Sequence, residues 1–392
     1  MWISRLQVRD FRSYAECDLE LAAGAVVFVG ANGQGKTNLV EAIGYCSALD
    51  SHRVHGDAPL IRADADHAVV RTTAMAAVPG FPEPGRPTTV EIQLNRTGSN
   101  RVQIDGQVMG RGRDVVGVIR SALFAPEHLR LVKGEPADRR RFLDSVMVQV
   151  APRYLGVRSD FERALKQRNA ALRSLVTAPS AEAEAVLSAW DERYVPVAAE
   201  LTWGRVNAAR QLASVVSEAY QQISPAQDHA VIGYETASGD PESLDEVMSV
   251  ISSGLAARRR DEIRRGVTLV GPHRDDLILL LNGAPARTHA SHGESWSFAL
   301  ALQLASFHVL HRITDDPPVL ILDDVFAELD EQRRERLLDA VAAAEQILVT
   351  AAVAADVPHL KGQVFEVAKE AGGSTVVPVV PPVVPRWNRP SG

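Results

Sequence analysis

Gly30-Ala31-Asn32-Gly33-Gln34-Gly35-Lys36-Thr37 fits the spacing G-x-x-x-x-G-K-[ST] residue for residue. That pattern makes a local structural demand, a tight loop between a strand and a helix. Ahead of it, Ala25-Val26-Val27-Phe28-Val29 is an unbroken apolar run, as in a strand buried on both faces of a parallel sheet. After it, Leu39, Val40 and Ile43 fall on one helical face. The glycines let backbone N–H groups turn inward, and the helix adds its positive N-terminal end, so the loop suits a polyphosphate. Gly30, Asn32, Gly33, Gln34, Gly35, Lys36, Thr37 and Asn38 are therefore expected to bind ATP. Lys36 is also expected to act in catalysis, reaching the β- and γ-phosphates, and the Thr37 hydroxyl to hold Mg²⁺.

Composition narrows the kind of ATP-binding protein. The 392 residues, 46% of them hydrophobic, suffice for two or three packed units. Cys17 and Cys46 are too few for a disulfide framework and lack metal-ligand spacing, which fits a reducing cytoplasm. Met1-Trp2-Ile3-Ser4-Arg5 runs into alternating charge, and no stretch of about eighteen uncharged apolar residues follows, so the chain is expected neither to span a membrane nor to be exported. A net charge of −7 argues against a wholly basic nucleic-acid coat but permits a local basic groove.

Trp2–Val8 and Asp18–Leu21 alternate apolar and polar and predict strands around Phe11-Arg12-Ser13-Tyr14. Residues 67–108 hold further strand-like runs, a Pro/Gly-rich turn at 79–87 and an Asp105-Gly106 hairpin signal. Helical periodicity then dominates to about residue 265, with Phe161, Leu165, Leu172 and Leu175 on one stripe and Leu187, Trp190, Tyr194, Val197 and Leu201 on another. The expected organisation is an N-terminal head part (1–136), a helical arm (137–266), a C-terminal head part (267–372) and a flexible Pro-rich tail (373–392).

Val319-Leu320-Ile321-Leu322-Asp323-Asp324 is a Walker B pattern, a buried strand delivering two carboxylates to the sheet edge beside the P-loop. Asp323 is expected to hold the Mg²⁺ shell, and Asp324 to orient or deprotonate the attacking water. Ser291-His292-Gly293-Glu294-Ser295 precedes an apolar helix, placing Ser291 and Gly293 at an anion-binding helix N-terminus. Ala327-Glu328-Leu329-Asp330 follows Walker B. This order resembles the ATPase head of the ABC and SMC class, an α/β fold with a mixed sheet, helices and here an inserted helical arm. The resemblance implies a homodimer in which Ser291 and Gly293 of each chain touch the γ-phosphate held by the other.

More specific stretches agree: Phe11-Arg12-Ser13-Tyr14, Phe124-Ala125-Pro126-Glu127-His128-Leu129, Leu131-Val132-Lys133-Gly134, Arg139-Arg140-Arg141-Phe142-Leu143-Asp144 and Gly271-Pro272-His273-Arg274-Asp275-Asp276-Leu277. With the P-loop they resemble the RecF family of bacterial recombination and DNA-gap repair ATPases over nearly the whole chain except the tail. The resemblance implies slow ATP hydrolysis, ATP-dependent dimerisation, binding of DNA at single-strand/duplex gaps, and work with RecO and RecR to load RecA. It also places Arg12 near the nucleotide. One departure stands out: Glu294-Ser295-Trp296 occupies positions where the family usually has glutamine and arginine.

Arg139–Arg141 and Arg258–Arg260 with Arg264 and Arg265 could meet DNA phosphates, although such runs more commonly make a solvated helix face. His273 and Arg274 fit an ion-pair turn as well as an active-site network. The competing functions are a transport ATPase subunit, which would normally couple to a membrane partner through a short insertion, and a small-molecule kinase, which the S-x-G signature and the Asp323-Asp324 pair disfavour.

Overall fold

The computed structural model describes residues 1–54, 56–75, 85–226, 228–353, 357 and 362–379. Most of the expected turn at 79–87 and the end of the expected tail, from residue 380, lie outside them. The chain divides into two compact units, Met1–Leu129 with Val215–Asp228 and Ser291–Gly392, and Arg130–Ser214 with His229–Ala290.

The first unit contains two sheets. Strands β1 (Trp2–Phe11), β2 (Tyr14–Glu20), β4 (His67–Met75), β5 (Thr88–Asn95), β6 (Arg101–Ile104) and β7 (Gln107–Val108) form an antiparallel sheet in the order β2-β1-β4-β5-β6-β7. Alternation buries one face of it, including Ala68, Val70, Val90, Ile92 and Leu94. A register shift between Ile3 and Arg5 lets Ile3 and Leu6, three residues apart, both enter the core. Asp105-Gly106 makes the β6–β7 turn, both residues at positive φ.

The second sheet carries the P-loop. Its order is β15-β14-β3-β13-β12-β8, from β3 (Gly24–Val29), β8 (Ser121–Phe124), β12 (Val319–Asp323), β13 (Gln346–Ala351), β14 (Gly362–Glu370) and β15 (Gly373–Pro378). All neighbours pair in parallel except β14 and β15. Every residue of β12 and β13 is buried, as their continuous apolar runs require. Helices α1 (Lys36–Ala48), α8 (His292–Thr314) and α9 (Glu331–Ala340) belong to this unit. The start of the expected tail is corrected here: Gly373–Pro378 forms an edge strand, which tolerates Pro378 at its end because no further strand needs its missing N–H.

The second unit contains α3 (Pro136–Val150), α4 (Arg153–Thr177), most of α5 (Ala181–Ile223), α6 (Leu244–Arg265) and a sheet of β9 (Ala230–Glu235), β10 (Asp276–Leu281) and β11 (Ala284–Pro285). The short helices α2 (Leu129–Lys133) and α7 (Ala286–His289) flank these segments in the chain. Both stripes supply core residues, with Phe161, Leu172, Leu175, Leu187, Tyr194 and Leu201 buried. The divisions differ from 137–266. Residues 215–228 belong with the first unit, whereas 130–136 and 267–290 belong with the second. The cause is long-range pairing: β9 lies within the helical stretch and aligns antiparallel with β10, Glu235 opposite Asp276 and Ala230 opposite Leu281.

Candidate functional site

At the C-terminal end of β3 the P-loop turns into α1, with Gly33 and Gly35 at positive φ. The cavity beside it holds about 410 Å³ and is lined by Asn32, Gly33, Gly35, Lys36, Thr37, Asn38, Asp323 and Asp324, together with Ser13, Arg53, Pro126, Glu127 and Lys369. Lys36 is almost fully buried, and its ammonium donates to the carbonyls of Gly30 (2.7 Å) and Ala31 (3.2 Å). Gly30 and Gln34 do not line the cavity. Gly30 packs its Cα against β14, where an added Cβ would fall 2.2 Å from the Val367 carbonyl oxygen.

The acidic wall comes from β12. Asp323 stands in register with Thr350 of β13, whose hydroxyl donates to Asp323 Oδ1 at 2.6 Å and accepts from the Asp324 amide at 2.9 Å. Thr37 donates to the same Asp323 oxygen at 2.9 Å. Burial would raise the Asp323 pKa, but the nearby His52 ring and these hydroxyls outweigh it and hold the carboxyl below its ordinary range. The His52 Nε2 lies 3.9 Å from Asp323 Oδ2. Asp324 has φ +50°, in the left-handed region, where β12 ends. Burial raises its pKa, with Asp323 and Glu127 reinforcing and Lys36 opposing. Glu127 Oε2 is buried without a hydrogen-bond partner among the described residues. His128, beside it, accepts from the Ala125 amide at 3.1 Å, and burial pushes its pKa down to about 3.

Arg12, expected beside the nucleotide, does not line the cavity. Its guanidinium forms two bonds to the fully buried Glu41 (2.9 and 2.6 Å) and one to the Pro59 carbonyl (3.1 Å). Arg53 lines the cavity instead, donating to Asn38 Oδ1 (3.1 Å) and Glu41 Oε2 (3.3 Å). Ser291 and Gly293 also lie outside the cavity lining. Ser291 caps α8: its hydroxyl accepts from the Glu294 amide (3.3 Å), and its own amide donates to Glu294 Oε2 (2.7 Å). Glu294 in the departing position thus completes a capping box. Arg333 of α9 borders Gly293, where an added Cβ would meet Nη2 at 3.2 Å.

Sequence reasoning missed Arg53, Lys369 and the Thr350 relay as site residues. Ser13, Pro126 and Glu127 stood inside recognisable motifs, which was the available signal, whereas nothing around Lys369 marked it. Several expected DNA-facing arginines are committed elsewhere within the second unit: Arg139 to Asp276 (2.8 and 2.6 Å), Arg140 to the Asp275 carbonyl (2.7 Å), Arg259 to Asp191 (2.6 Å) and Arg264 to Asp261 (2.6 Å). His273 is half-buried, contacts the Thr268 carbonyl through Nε2 at 3.0 Å and has its pKa pushed down to about 4 by burial.

The family model described as RecF/RecN/SMC N terminal domain matches residues 2–375. The DNA replication and repair protein RecF of Cutibacterium acnes is 45% identical over 395 residues, covering 96% of this chain and 98% of the relative. Its counterpart in Streptomyces avermitilis is 46% identical over 363 residues, covering 91% and 95%. A solved RecF–ATP structure, described as the recombination mediator protein in the RecFOR pathway, superposes with a TM-score of 0.86 at 25% identity and covers 97% of this chain and 98% of that one. An Smc head from Pyrococcus furiosus shares the fold, with a TM-score of 0.55 at 17% identity and 96% of each chain covered. The chain therefore belongs to the RecF family of DNA replication and repair proteins and is a P-loop ATPase.

Proposed function

We propose that ATP binds along the P-loop cavity with Mg²⁺, that its binding closes a homodimer on DNA at single-strand/duplex gaps, and that slow hydrolysis releases that state. The observation that carries this reading is one shared cavity in which Lys36, Thr37, Asp323 and Asp324 converge from segments almost three hundred residues apart. Thr37 Oγ1 and Asp323 Oδ1 are hard oxygen donors already in contact, so the residues fit Mg²⁺ supplemented by phosphate oxygens and water. Bound there, Mg²⁺ would neutralise phosphate charge.

On this reading Lys36 exchanges the Gly30 and Ala31 carbonyls for β- and γ-phosphate oxygens. Asp324, its basicity raised by burial, orients a water for in-line attack on the γ-phosphorus and accepts its proton as the bridging oxygen leaves with ADP. Ser291 and Gly293 serve the partner chain's phosphate, consistent with their position outside this chain's own cavity. Work with RecO and RecR in loading RecA, in the cytoplasm, accords with the solved relative's assignment to a RecFOR pathway. No helix among the described residues is long and apolar enough to cross a membrane.

Light scattering with ATP and Mg²⁺ tests the composite site. Wild type should dimerise, whereas Ser291→Arg should bind ATP as a monomer and lose ATP-dependent retention on duplex DNA. Normal dimerisation of the variant would remove Ser291 from the interface. DNA binding that survived without dimers would move the contact onto a single chain.

A further inference from the structure

The β14–β15 hairpin is bound to the P-loop by polar contacts the ATP reading leaves unused. The Ser374 hydroxyl donates to the Gln34 carbonyl at 2.5 Å and shares a hydroxyl–hydroxyl contact with Ser13 Oγ at 2.7 Å, and the Ser374 amide donates to the Ser13 carbonyl at 2.9 Å. Ser13 Oγ in turn accepts from Asn38 Nδ2 at 2.8 Å. The Lys369 amide donates to Gln34 Oε1. These contacts tie both ends of the loop's Gln34–Asn38 segment to one hairpin. The approach is close: at Gly35, φ +116°, an added Cβ would lie 2.5 Å from Ser374 Oγ, and at Gly373, φ +137°, one would lie 2.6 Å from the Ser13 carbonyl oxygen. Lys369 lines the same cavity as the carboxylates and is an exposed residue. A cavity built for several phosphate charges thus holds Lys36, Arg53 and Lys369, the last carried by the hairpin.

We propose that the C-terminal hairpin is part of the nucleotide site, with Ser374 a positioning residue that holds the P-loop in its phosphate-binding shape and Lys369 a direct phosphate contact. The inference rests on the ATP reading above. A cradle of backbone N–H groups binds anions only while its peptide planes stay oriented, and Ser374 anchors the plane at Gln34 that leads into Gly35 and Lys36. Lys369 adds a flexible cation whose attraction grows with the charge of the ligand.

The test is titration of full-length protein with ATP and ADP in Mg²⁺, by calorimetry, together with thermal unfolding. Lys369→Ala should weaken ATP about fivefold and ADP less, with Lys369→Arg restoring most of the loss. Ser374→Ala should weaken both nucleotides about tenfold. Its nucleotide-free Tm should stay within about 2 °C of wild type while the ATP-induced Tm rise shrinks, a combination that loss of folding alone would not produce. Wild-type affinities in both alanine variants, alongside lost binding in Lys36→Ala, would overturn the proposal and leave the ATP site standing. Wild-type binding in Lys36→Ala would instead overturn the ATP site, and the hairpin's role with it. If Ser374→Ala unfolds, the Lys369 pair decides.

Discussion

The nucleotide cavity and the interior of the second unit both bury charge, but they balance it differently. In the second unit each buried guanidinium has a carboxylate of its own: Arg168 bonds Asp191 and Glu262 at 2.7 Å each, and Arg205 bonds both oxygens of Asp144 at 2.7 and 2.9 Å. In the cavity, among the described residues, Lys36 bonds only carbonyls, Asp323 bonds two hydroxyls with the His52 ring 3.9 Å away in place of a lysine or arginine, and Glu127 keeps a buried oxygen without a partner. Charges that have been paired off within the fold maintain it. Those held apart by neutral dipoles remain able to meet a ligand.

The largest effect should come from breaking a closed pair. Arg168 is fully buried and also donates to Thr268 at 2.9 Å. Burial would lower its pKa, but Glu262 and Asp191 outweigh that and raise it. Arg168→Met would strand Glu262, itself fully buried, and should cost about 3–5 kcal/mol in urea unfolding. A loss below about 1 kcal/mol would show that the interior rearranges to hydrate the acid, and the contrast between the two regions would fail.

Next in size is Asp324→Asn. It keeps the shape and the amide bond to Thr350 but removes the base, so hydrolysis should fall about a hundredfold while ATP binding and ATP-dependent dimers persist. Loss of ATP binding in this variant would require the roles of Asp323 and Asp324 to be reassigned. Lys36→Arg keeps the charge but substitutes a planar fork for a point cation that now sits 2.7 Å from the Gly30 carbonyl. Turnover should drop at least about tenfold, with ATP affinity reduced less. Full turnover would take Lys36 out of the site.

The contrast also explains what the sequence disclosed. The P-loop and Walker B halves of the cavity are each encoded within a dozen residues, as an apolar run delivering polar groups, so both were legible. Their neighbours were not. Lys369 and Ser374 reach the loop only because β14 pairs with β3, a contact between segments more than three hundred residues apart. Arg12 and Arg53 flank one buried acid, Glu41, and only side-chain geometry decides which of the two faces the cavity. The β9 strand alternates over just six residues between long helices, so local periodicity favoured helix until pairing with β10 placed it.

The smallest effect concerns the least well matched acid of the second unit, and it sharpens the comparison. Asp275 is buried, yet among the described residues its Oδ2 accepts only long bonds, from Thr202 at 3.3 Å and Tyr234 at 3.4 Å, while Arg205 is committed to Asp144 and the Pro272 carbonyl. Burial raises its pKa to about 6, against the opposing pull of Arg205. The folded value lies above the unfolded 3.8, so the native state binds the extra proton between them. Any stability linked to that proton is therefore present below the unfolded pKa and lost as pH rises through 6. At pH 7.5 the wild type carries an ionised carboxylate where a neutral group fits better. Asp275→Asn should then stabilise the protein by roughly 1 kcal/mol at pH 7.5, with the gain shrinking as pH falls from about 6 toward 4. His273 works with the opposite sign: its folded pKa, about 4, lies below the unfolded 6.5, so its contribution is lost as pH falls between them. Because that term is common to wild type and variant, the difference between their unfolding curves isolates Asp275. A destabilised variant at pH 7.5, or a difference that does not change with pH, would mean that Asp275 is as fully paired as Asp144 and that the second unit holds no unbalanced acid.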